Sequence, residues 1–507
     1  MKILTASQIR EADKATIQKE PIASIDLMER ATQRFTQRFV QQFPEHNCPI
    51  YIFCGLGNNG GDGLAIARKL LAQRYDVSVF IIGTKTGSDD FEANLKRLAE
   101  YSSVQRIENP SQLPDFSFPG IIIDALFGSG LSRPLEGLYA DVVQLMNQAG
   151  HTIVAVDIPS GLFADKATEE DNPIVKADFT YTFQLPKLAF LLPHNEQYVG
   201  DWATLDIGMD ADFLQNVDTR YHYLTHDWMK ELRQKRKWHS HKGDYGKTIL
   251  ISGSYGKMGA AVLCSSACAK SGVGLLTVHV PRCGYEIMQI AIPEAMTTVD
   301  DDEHHFTNLT QEGRTDLENY DVIGIGPGLG TEEVTVKAVR SLLEHAHARN
   351  MRMVLDADAL NICGKNRELL KLIPQDSILT PHPKEFERLT EKAQNDFHRL
   401  DLLKEFCQTY QVYVTLKGSH TAIGTPDGNI YFNSTGNPGM ATGGTGDVLT
   451  GILTAMISQK YDSLSAAMLG VYLHGLAGNL AAEQLSQEAM IASDLIAHLG
   501  SAFKTLY

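Results

Sequence analysis

Asp447 stands near the end of Asn437-Pro438-Gly439-Met440-Ala441-Thr442-Gly443-Gly444-Thr445-Gly446-Asp447-Val448-Leu449-Thr450-Gly451, the stretch of this sequence best suited to chemistry. Gly443, Gly444 and Gly446 free several N–H groups to point at one anion, at the start of a helix predicted from Val448. A carboxylate beside a phosphate held there can accept the proton of an attacking hydroxyl, which is what phosphoryl transfer requires. An N-capping aspartate after a glycine turn would account for Asp447 alone. It would not account for the four glycines and two threonines packed before it. The sequence contains no GxxxxGK[ST] pattern, which excludes the P-loop class.

A second glycine cluster, Gly55-Leu56-Gly57-Asn58-Asn59-Gly60-Gly61-Asp62-Gly63, lies between an apolar run and a helical pattern starting at Leu64. Gly55, Gly57 and Gly60 satisfy G-x-G-x-x-G in the strand-before, helix-after context of a dinucleotide site. The companion feature is missing. The next strand ends Ile81-Ile82-Gly83-Thr84-Lys85-Thr86, with no carboxylate before Asp89 to hold a ribose hydroxyl. Asn58, Asn59 and Asp62 instead add amides and oxygen ligands where a phosphate cradle needs only backbone. Two more strand ends carry similar chemistry, Asp124 with the loop to Pro134, and Asp157-Ile158-Pro159-Ser160-Gly161. Strand ends of an open parallel sheet converge on one crevice, so Asn59, Asp124 and Ser160 can meet there. Such a hard-oxygen set suits K⁺ rather than zinc.

The elements needed to position these residues are visible in the hydrophobic pattern. Short β-rich runs at Ile50–Cys54, Val77–Ile82, Ile121–Ile123 and Thr152–Val156 alternate with amphipathic stretches at Leu64–Tyr75, Phe91–Tyr101 and Ala140–Ala149. This predicts βαβ units and a parallel sheet covered on both faces. Two helical patterns, Ser7–Glu20 and Ser24–Phe43, precede it as an appended arm. The second half alternates again, with strands expected at Thr248–Ser252, Gly274–Val280, Val322–Gly324, Met353–Asp356, Ser377–Leu379 and Tyr413–Lys417. A hairpin is expected at Thr421–Thr425 and Asn429–Phe432, followed by helices near Val448–Ser458, Ser463–Glu483 and Glu488–Phe503. The fold class is therefore α/β, with two doubly wound domains. The polar, irregular stretch near 208–245, whose end is locally basic and leads toward the second site, marks the boundary.

Length and composition agree. The 507 residues suit two or three domains at roughly 150 residues each. A balance of 45 basic against 61 acidic residues argues against a nucleic-acid partner, which would want a basic face. The charged N-terminus lacks the apolar region of a signal peptide, and no apolar run approaches the roughly 20 residues that span a bilayer. These features predict a cytoplasmic chain with no membrane partner. Seven cysteines include no CxxC pair. Cys264 and Cys268 read as small hydrophobes sharing one face of a packed helix rather than metal ligands.

GLGNNGGDG with DALFGSGLSRP and VDIPSG, across roughly residues 1–215, resembles the NAD(P)H-hydrate epimerases, also called the YjeF N-terminal domain. The resemblance implies K⁺ ligation by Asn59, Asp124 and Ser160. It implies hydrate contacts at Asn58, Asn59, Gly60, Gly61 and Asp62, at Gly128, Ser129, Gly130, Leu131, Ser132, Arg133 and Pro134, and at Asp157. Asp157 is the candidate acid/base group and Lys187 a second, against the alternative of a solvated surface lysine. TPHPKEF with MATGGTGDVLTG, across roughly residues 225–507, resembles the ribokinase-like NAD(P)H-hydrate dehydratases. That implies hydrate contacts at Ala261, Gly328, His382 and Asp447, and adenylate contacts at Lys417, Gly418, Ser419, His420, Thr421 and Gly446. His382, bracketed by prolines at a strand end, is assigned to the site rather than to the core.

The chemistry implied is repair. Water added across the C5–C6 bond of NADH or NADPH leaves a C6 hydroxyl, and hydroxide leaves badly. Phosphorylation by ADP with Asp447 as base, followed by loss of phosphate, would restore the dihydropyridine and give AMP. Mg²⁺ is expected with the nucleotide. Only one C6 epimer fits a chiral site, so an epimerase on the same chain makes both recoverable. The partners implied are hydrated cofactor, ADP and further copies of the chain in a homo-oligomer. The rivals are a vitamin or sugar kinase with an N-terminal binding domain, and a first domain that is only a scaffold.

Overall fold

The apolar runs of the first half form strands Ile50–Cys54 (β1), Val77–Ile82 (β2), Gln105–Ile107 (β3), Ile121–Ala125 (β4), Thr152–Val156 (β5), Phe179–Phe183 (β6) and Asp201–Leu205 (β7). Their β-branched and aromatic residues are buried because helices cover the sheet, as parallel sheets require. The computed structural model describes residues 1–114, 119–169, 171–309 and 317–507. The chain divides into two units, Met1–Tyr221 and His222–Tyr507. In the first, the strand order is β3-β2-β1-β4-β5-β6-β7, with every pair parallel. The order reverses between β1 and β4, where Cys54 lies beside Ala125. Loops leaving these two ends open the crevice in which such sheets bind ligands.

Two expectations for this unit are corrected. The helix after β1 runs Asn58–Ala72, not from Leu64, because Gly57 is extended and the second half of the glycine cluster is already the first helical turn. The helices Ala6–Lys19 and Ser24–Gln42 are not an appended arm. The first starts from a reciprocal cap between Thr5 and Gln8. The second buries Leu27, Met28, Ala31, Phe35 and Phe39, and Ala12, Leu27 and Ala31 cluster with Ile207 and Met209.

The second unit has strands Lys247–Ile251 (β8), Leu275–Val280 (β9), Met296–Val299 (β10), Val322–Ile325 (β11), Met353–Leu355 (β12), Ile378–Leu379 (β13), Tyr413–Leu416 (β14), Ala422–Gly424 (β15) and Ile430–Phe432 (β16). Within it the order runs β16-β15-β14-β13-β12-β11-β8-β9-β10. It is parallel from β14 to β10, and the expected hairpin adds two antiparallel strands. The reversal falls between β8 and β11, and there Gly253 N–H donates to Pro327 O at 2.8 Å.

Helices Met258–Lys270 and Thr445–Ser458 cross almost backbone to backbone. A β-carbon on Gly451 would sit 2.0 Å from Cys264 O, so only glycine fits. Cys264 and Cys268 are buried in this crossing, as their spacing predicted. Contrary to the expectation from apolar runs, one helix reaches bilayer length. Helix Ser463–Leu485 is long and apolar enough to cross a bilayer, and 67% of its apolar window is buried inside the protein. It packs in the same cluster as Val448, Ile452 and Leu495.

Candidate active sites

In the first unit, Gly60 is required by close approach: its β-carbon would meet Gly55 O at 1.8 Å. Gly57 by contrast faces open space. Beside it lies a cavity of about 680 Å³, walled by Asn58, Asn59 and Asp62, the loop Gly128–Arg133, Asp157 and Lys187. Gly60, Gly61 and Pro134, expected as hydrate contacts, are not on this wall. Gly61 packs against Met28, and its N–H bonds Gly57 O at 3.1 Å. The N-terminal helices supply a wall the sequence reading missed, including Arg10, Asp13 and Lys14. The signal was present: Arg10, Asp13, Lys14 and Ile17 fall on one face of an amphipathic helix.

Asp157 follows β5 with a left-handed backbone, φ +67°, a strained conformation for a residue with a β-carbon. It is buried and forms an ion pair with Lys187 at 2.8 Å. Its oxygens also accept from Thr182 Oγ1 at 3.1 Å, Phe183 N at 3.3 Å and Ser129 N at 3.4 Å. Burial alone would raise its pKa, but Lys187 and these donors outweigh it and hold the carboxyl below the usual range. Asp157 can therefore accept a proton weakly but has none to give near neutrality. Lys187 is not a solvated surface lysine; its side chain is 1% exposed, and its ammonium donates to Thr182 Oγ1 at 2.8 Å. Asp62 is raised well above the carboxylate range, by burial and then by Asp157, Asp13 and Asp90.

Asp124 and Ser160 are buried behind this wall. Ser160 donates to Asp124 through Oγ at 2.7 Å and through N at 2.8 Å, and Leu126 N donates at 3.2 Å. Burial pushes Asp124 up to about 6. Asn59 is also buried, and its Nδ2 has no hydrogen-bond partner among the described residues. An orphaned amide, whose O and N are interchangeable by rotation, together with a carboxylate bonded only by neutral donors, fits a monovalent cation.

In the second unit, Gly444 is left-handed, φ +90°, and caps helix Thr445–Ser458. Asp447 lies in its first turn. Thr445 Oγ1 ties the loop to Met440 O at 3.1 Å and Thr442 O at 3.0 Å. Half-buried His474, pushed down to about 4 by desolvation, is neutral and supports Thr445 O at 2.9 Å. Lys417 pairs with Asp356 at 2.8 Å. Burial opposes the Lys417 charge, but Asp356 outweighs it and its pKa is raised. Thr450 Oγ1 donates to the other Asp356 oxygen at 2.7 Å. A β-carbon on Gly446 would stand 3.4 Å from Lys417 Nζ, so the nest, Lys417 and Asp356 form one constellation. Asp447 is raised to about 6, by burial and then by Asp356, with Lys417 opposing. Asp356, Thr450 and His474 were not assigned from sequence.

The remaining residues divide. Gly418 and Ser419 are exposed after β14, while Thr421 is buried. His420 Nδ1 lies 3.0 Å from Asn433 O. Gly328 has φ +64° and accepts from Ser254 Oγ at 2.7 Å. Ala261, expected as a hydrate contact, is fully buried and packed against Gly253. His382 is the N-cap of helix Pro383–Leu389. Its Nδ1 accepts from Lys384 N at 3.1 Å and Glu385 N at 3.2 Å, leaving the proton on Nε2. The basic run 233–237 does not join this site. It lines a separate groove of about 700 Å³ with Gly272, Gln459 and Tyr507.

Comparison with known proteins matches both units. The family model of the YjeF-related protein N-terminus covers residues 24–189, and that of NAD(P)H-hydrate dehydratase covers residues 248–500. The bifunctional NAD(P)H-hydrate repair enzyme Nnr of Moorella thermoacetica is 36% identical over 520 residues, spanning 100% of this chain and 97% of that one. The Coxiella burnetii enzyme of the same name is 33% identical, covering 97% of each. A ribokinase-like superfamily protein from Enterococcus faecalis superposes with a TM-score of 0.50 at 26% identity, over 57% of this chain and 98% of that one.

Proposed function

The chain belongs to the family of bifunctional NAD(P)H-hydrate repair enzymes, and from that premise we propose how its two constellations divide the work. Met1–Tyr221 interconverts the R and S hydrates in the 680 Å³ cavity. His222–Tyr507 dehydrates the S form with ADP, at the nest before Asp447. The expected domains 1–215 and 225–507 carry these activities separately. The observation that carries the dehydratase half is the single constellation of Gly446, Lys417, Asp356 and Asp447.

In that half, the N–H groups of 443–446 bind phosphate oxygens at the positive end of helix Thr445–Ser458. Lys417 is held charged by Asp356 and faces the same anion. Asp447 takes the C6 hydroxyl proton as that oxygen attacks the β-phosphorus of ADP. Its raised pKa places proton uptake near the working range, which favours general-base catalysis. His382 Nε2–H, fixed by its cap and 3.5 Å from Glu385 Oε1, would face the hydrate as a donor. Among the described residues no three His, Cys, Asp or Glu side chains gather to cage a metal. Mg²⁺, when bound, would be held mainly by the nucleotide phosphates and would offset their charge during transfer.

In the epimerase half, Asn59, Asp124 and Ser160 would hold K⁺. When bound, the cation would compensate the buried Asp124 charge and fix the first turn of helix Asn58–Ala72, which carries Asn59, against the loop that carries Gly128. We further place the enzyme in the cytoplasm and as a homo-oligomer. Five of its seven unpaired cysteines are buried, which suits a reducing compartment. The test is to incubate the chain with chemically hydrated NADH and either ADP or ATP. Return of the dihydropyridine absorbance, faster with ADP, is expected. A stable phosphorylated product with no such return would favour the kinase reading.

A further inference from the structure

Asp157 is the carboxylate that sequence singles out for proton transfer in the first unit, yet its four donors leave it a fixed anion. Epimerisation at C6 needs more. The C6 carbon carries both the hydroxyl and N1, so inversion proceeds most simply by opening the ring and closing it on the other face. A proton must leave the hydroxyl and later return, which asks for a group able to do both.

We propose that Asp13, on helix Ala6–Lys19, is a catalytic proton carrier of the epimerase, reaching the hydrate from the N-terminal wall of the cavity. The inference deepens the epimerase reading and rests on it. Asp13 lines the same cavity as Asp62, Asp157 and Lys187, and among the described residues no hydrogen bond or ion pair engages its carboxylate. Its charged neighbours on that wall, among the described residues, are Arg10 and Lys14 of its own helix, Asp62 of helix Asn58–Ala72, Arg133 of the loop after β4, and Asp157 and Lys187. Helix Ser24–Gln42 presents only Ser24, Leu27, Met28 and Ala31. Consistent with this placement, burial, then Asp157, opposed by Lys187, push Asp13 up to about 6.

The step balances without a co-reactant. The Asp13 carboxylate takes the C6 hydroxyl proton, the oxygen lone pair closes to C6=O, and the C6–N1 bond breaks with its electron pair passing to N1. N1 takes the proton of the Asp62 carboxyl. Rotation about C5–C6 turns the other carbonyl face to N1. N1 re-adds, its proton returns to Asp62, and the carbonyl oxygen recovers the proton from Asp13 as the hydroxyl of the other epimer.

The test follows interconversion of separated R and S hydrates by the full chain without nucleotide, for wild type, Asp13→Asn and Asp13→Glu across pH. Asp13→Asn should lower kcat by about 10²–10³-fold, as for loss of a positioned general base, with KM changed less than about threefold. The rise of wild-type activity with pH through about 6 should disappear in Asp13→Asn and persist, displaced, in Asp13→Glu. A kcat within about threefold of wild type, or a large loss that retains the acid limb, would overturn the assignment. So would equal loss in Asp13→Asn and Asp13→Glu, which would mark a structural role. If wild type itself does not interconvert the hydrates, the epimerase reading fails and this proposal with it.

Discussion

The ammonium of Lys187 lies 2.8 Å from the carboxylate of Asp157, with 1% of the lysine side chain exposed. Removing one partner strands the other charge in a place water cannot reach, at a cost of about 3–5 kcal/mol. Lys187→Met should lower the thermal midpoint of the first unit's transition and abolish epimerase activity. Lys187→Met with Asp157→Leu should recover much of the stability and none of the activity. Differential scanning calorimetry of the full chain checks both; a single variant as stable as wild type would remove the pair from the account.

Asp447 is raised to about 6 by burial and by Asp356. A carboxyl raised in the folded state binds more protons there than in the unfolded chain, so stability falls as pH rises from the ordinary aspartate range through about 6. Asp447→Asn should therefore stabilise the second unit by on the order of 1–2 kcal/mol at about pH 7.5, allowing for partial exposure, and by nothing near about pH 4. Dehydration should fall by about two or more orders of magnitude while epimerisation persists. Near-full dehydratase activity in the variant would overturn Asp447 as the base.

Asp124→Asn keeps the shape of the buried group and removes its charge. K⁺ should raise the midpoint of the first unit's thermal transition above that in Li⁺ or Tris, and the variant should lose that difference together with epimerase activity. Dehydratase activity should be unchanged. A variant that still responds to K⁺ would place the cation elsewhere.

Each unit buries its own apolar clusters. A fragment starting at His222 should fold and consume only the S hydrate, and adding the separate Met1–Tyr221 fragment should restore use of the R form. Chiral chromatography of the residual hydrate reads the outcome. A folded second fragment that consumes both epimers at equal rates would contradict the division of labour.

Strands with buried apolar runs were legible in sequence almost to the residue: Ile50–Cys54, Val77–Ile82 and Thr152–Val156 are the observed bounds. Gln105–Ile107, Asp201–Leu205 and Met296–Val299 were missed, because edge strands pair on one side only and need no continuous apolar run, and interior Phe179–Phe183 was missed because Thr180 and Thr182 interrupt its apolar run. Glycine motifs located both site loops, since close approach and left-handed backbone leave a mark in residue type. Asp13 showed only as one position on an amphipathic helix face, and residue type alone gave Asp356 and His474 no role. Their roles come from neighbours distant in sequence, such as Lys417, 61 residues beyond Asp356. Lys187 shows the same limit from the other side, for nothing in TFQLPKLAF tells a buried lysine from a solvated one.

Gly451 lies a full turn beyond Asp447, where helix Thr445–Ser458 presses against Cys264. The helix it touches begins at the loop Gly253–Lys257, so this crossing fixes how far the phosphate nest stands from the opposite rim of the site. A methyl added there would push the helices apart, and both rims with them. The gap between the reacting hydroxyl and the phosphorus it attacks is thus gauged from behind. Gly451→Ala would change the reach of the reaction without altering a single group that takes part in it.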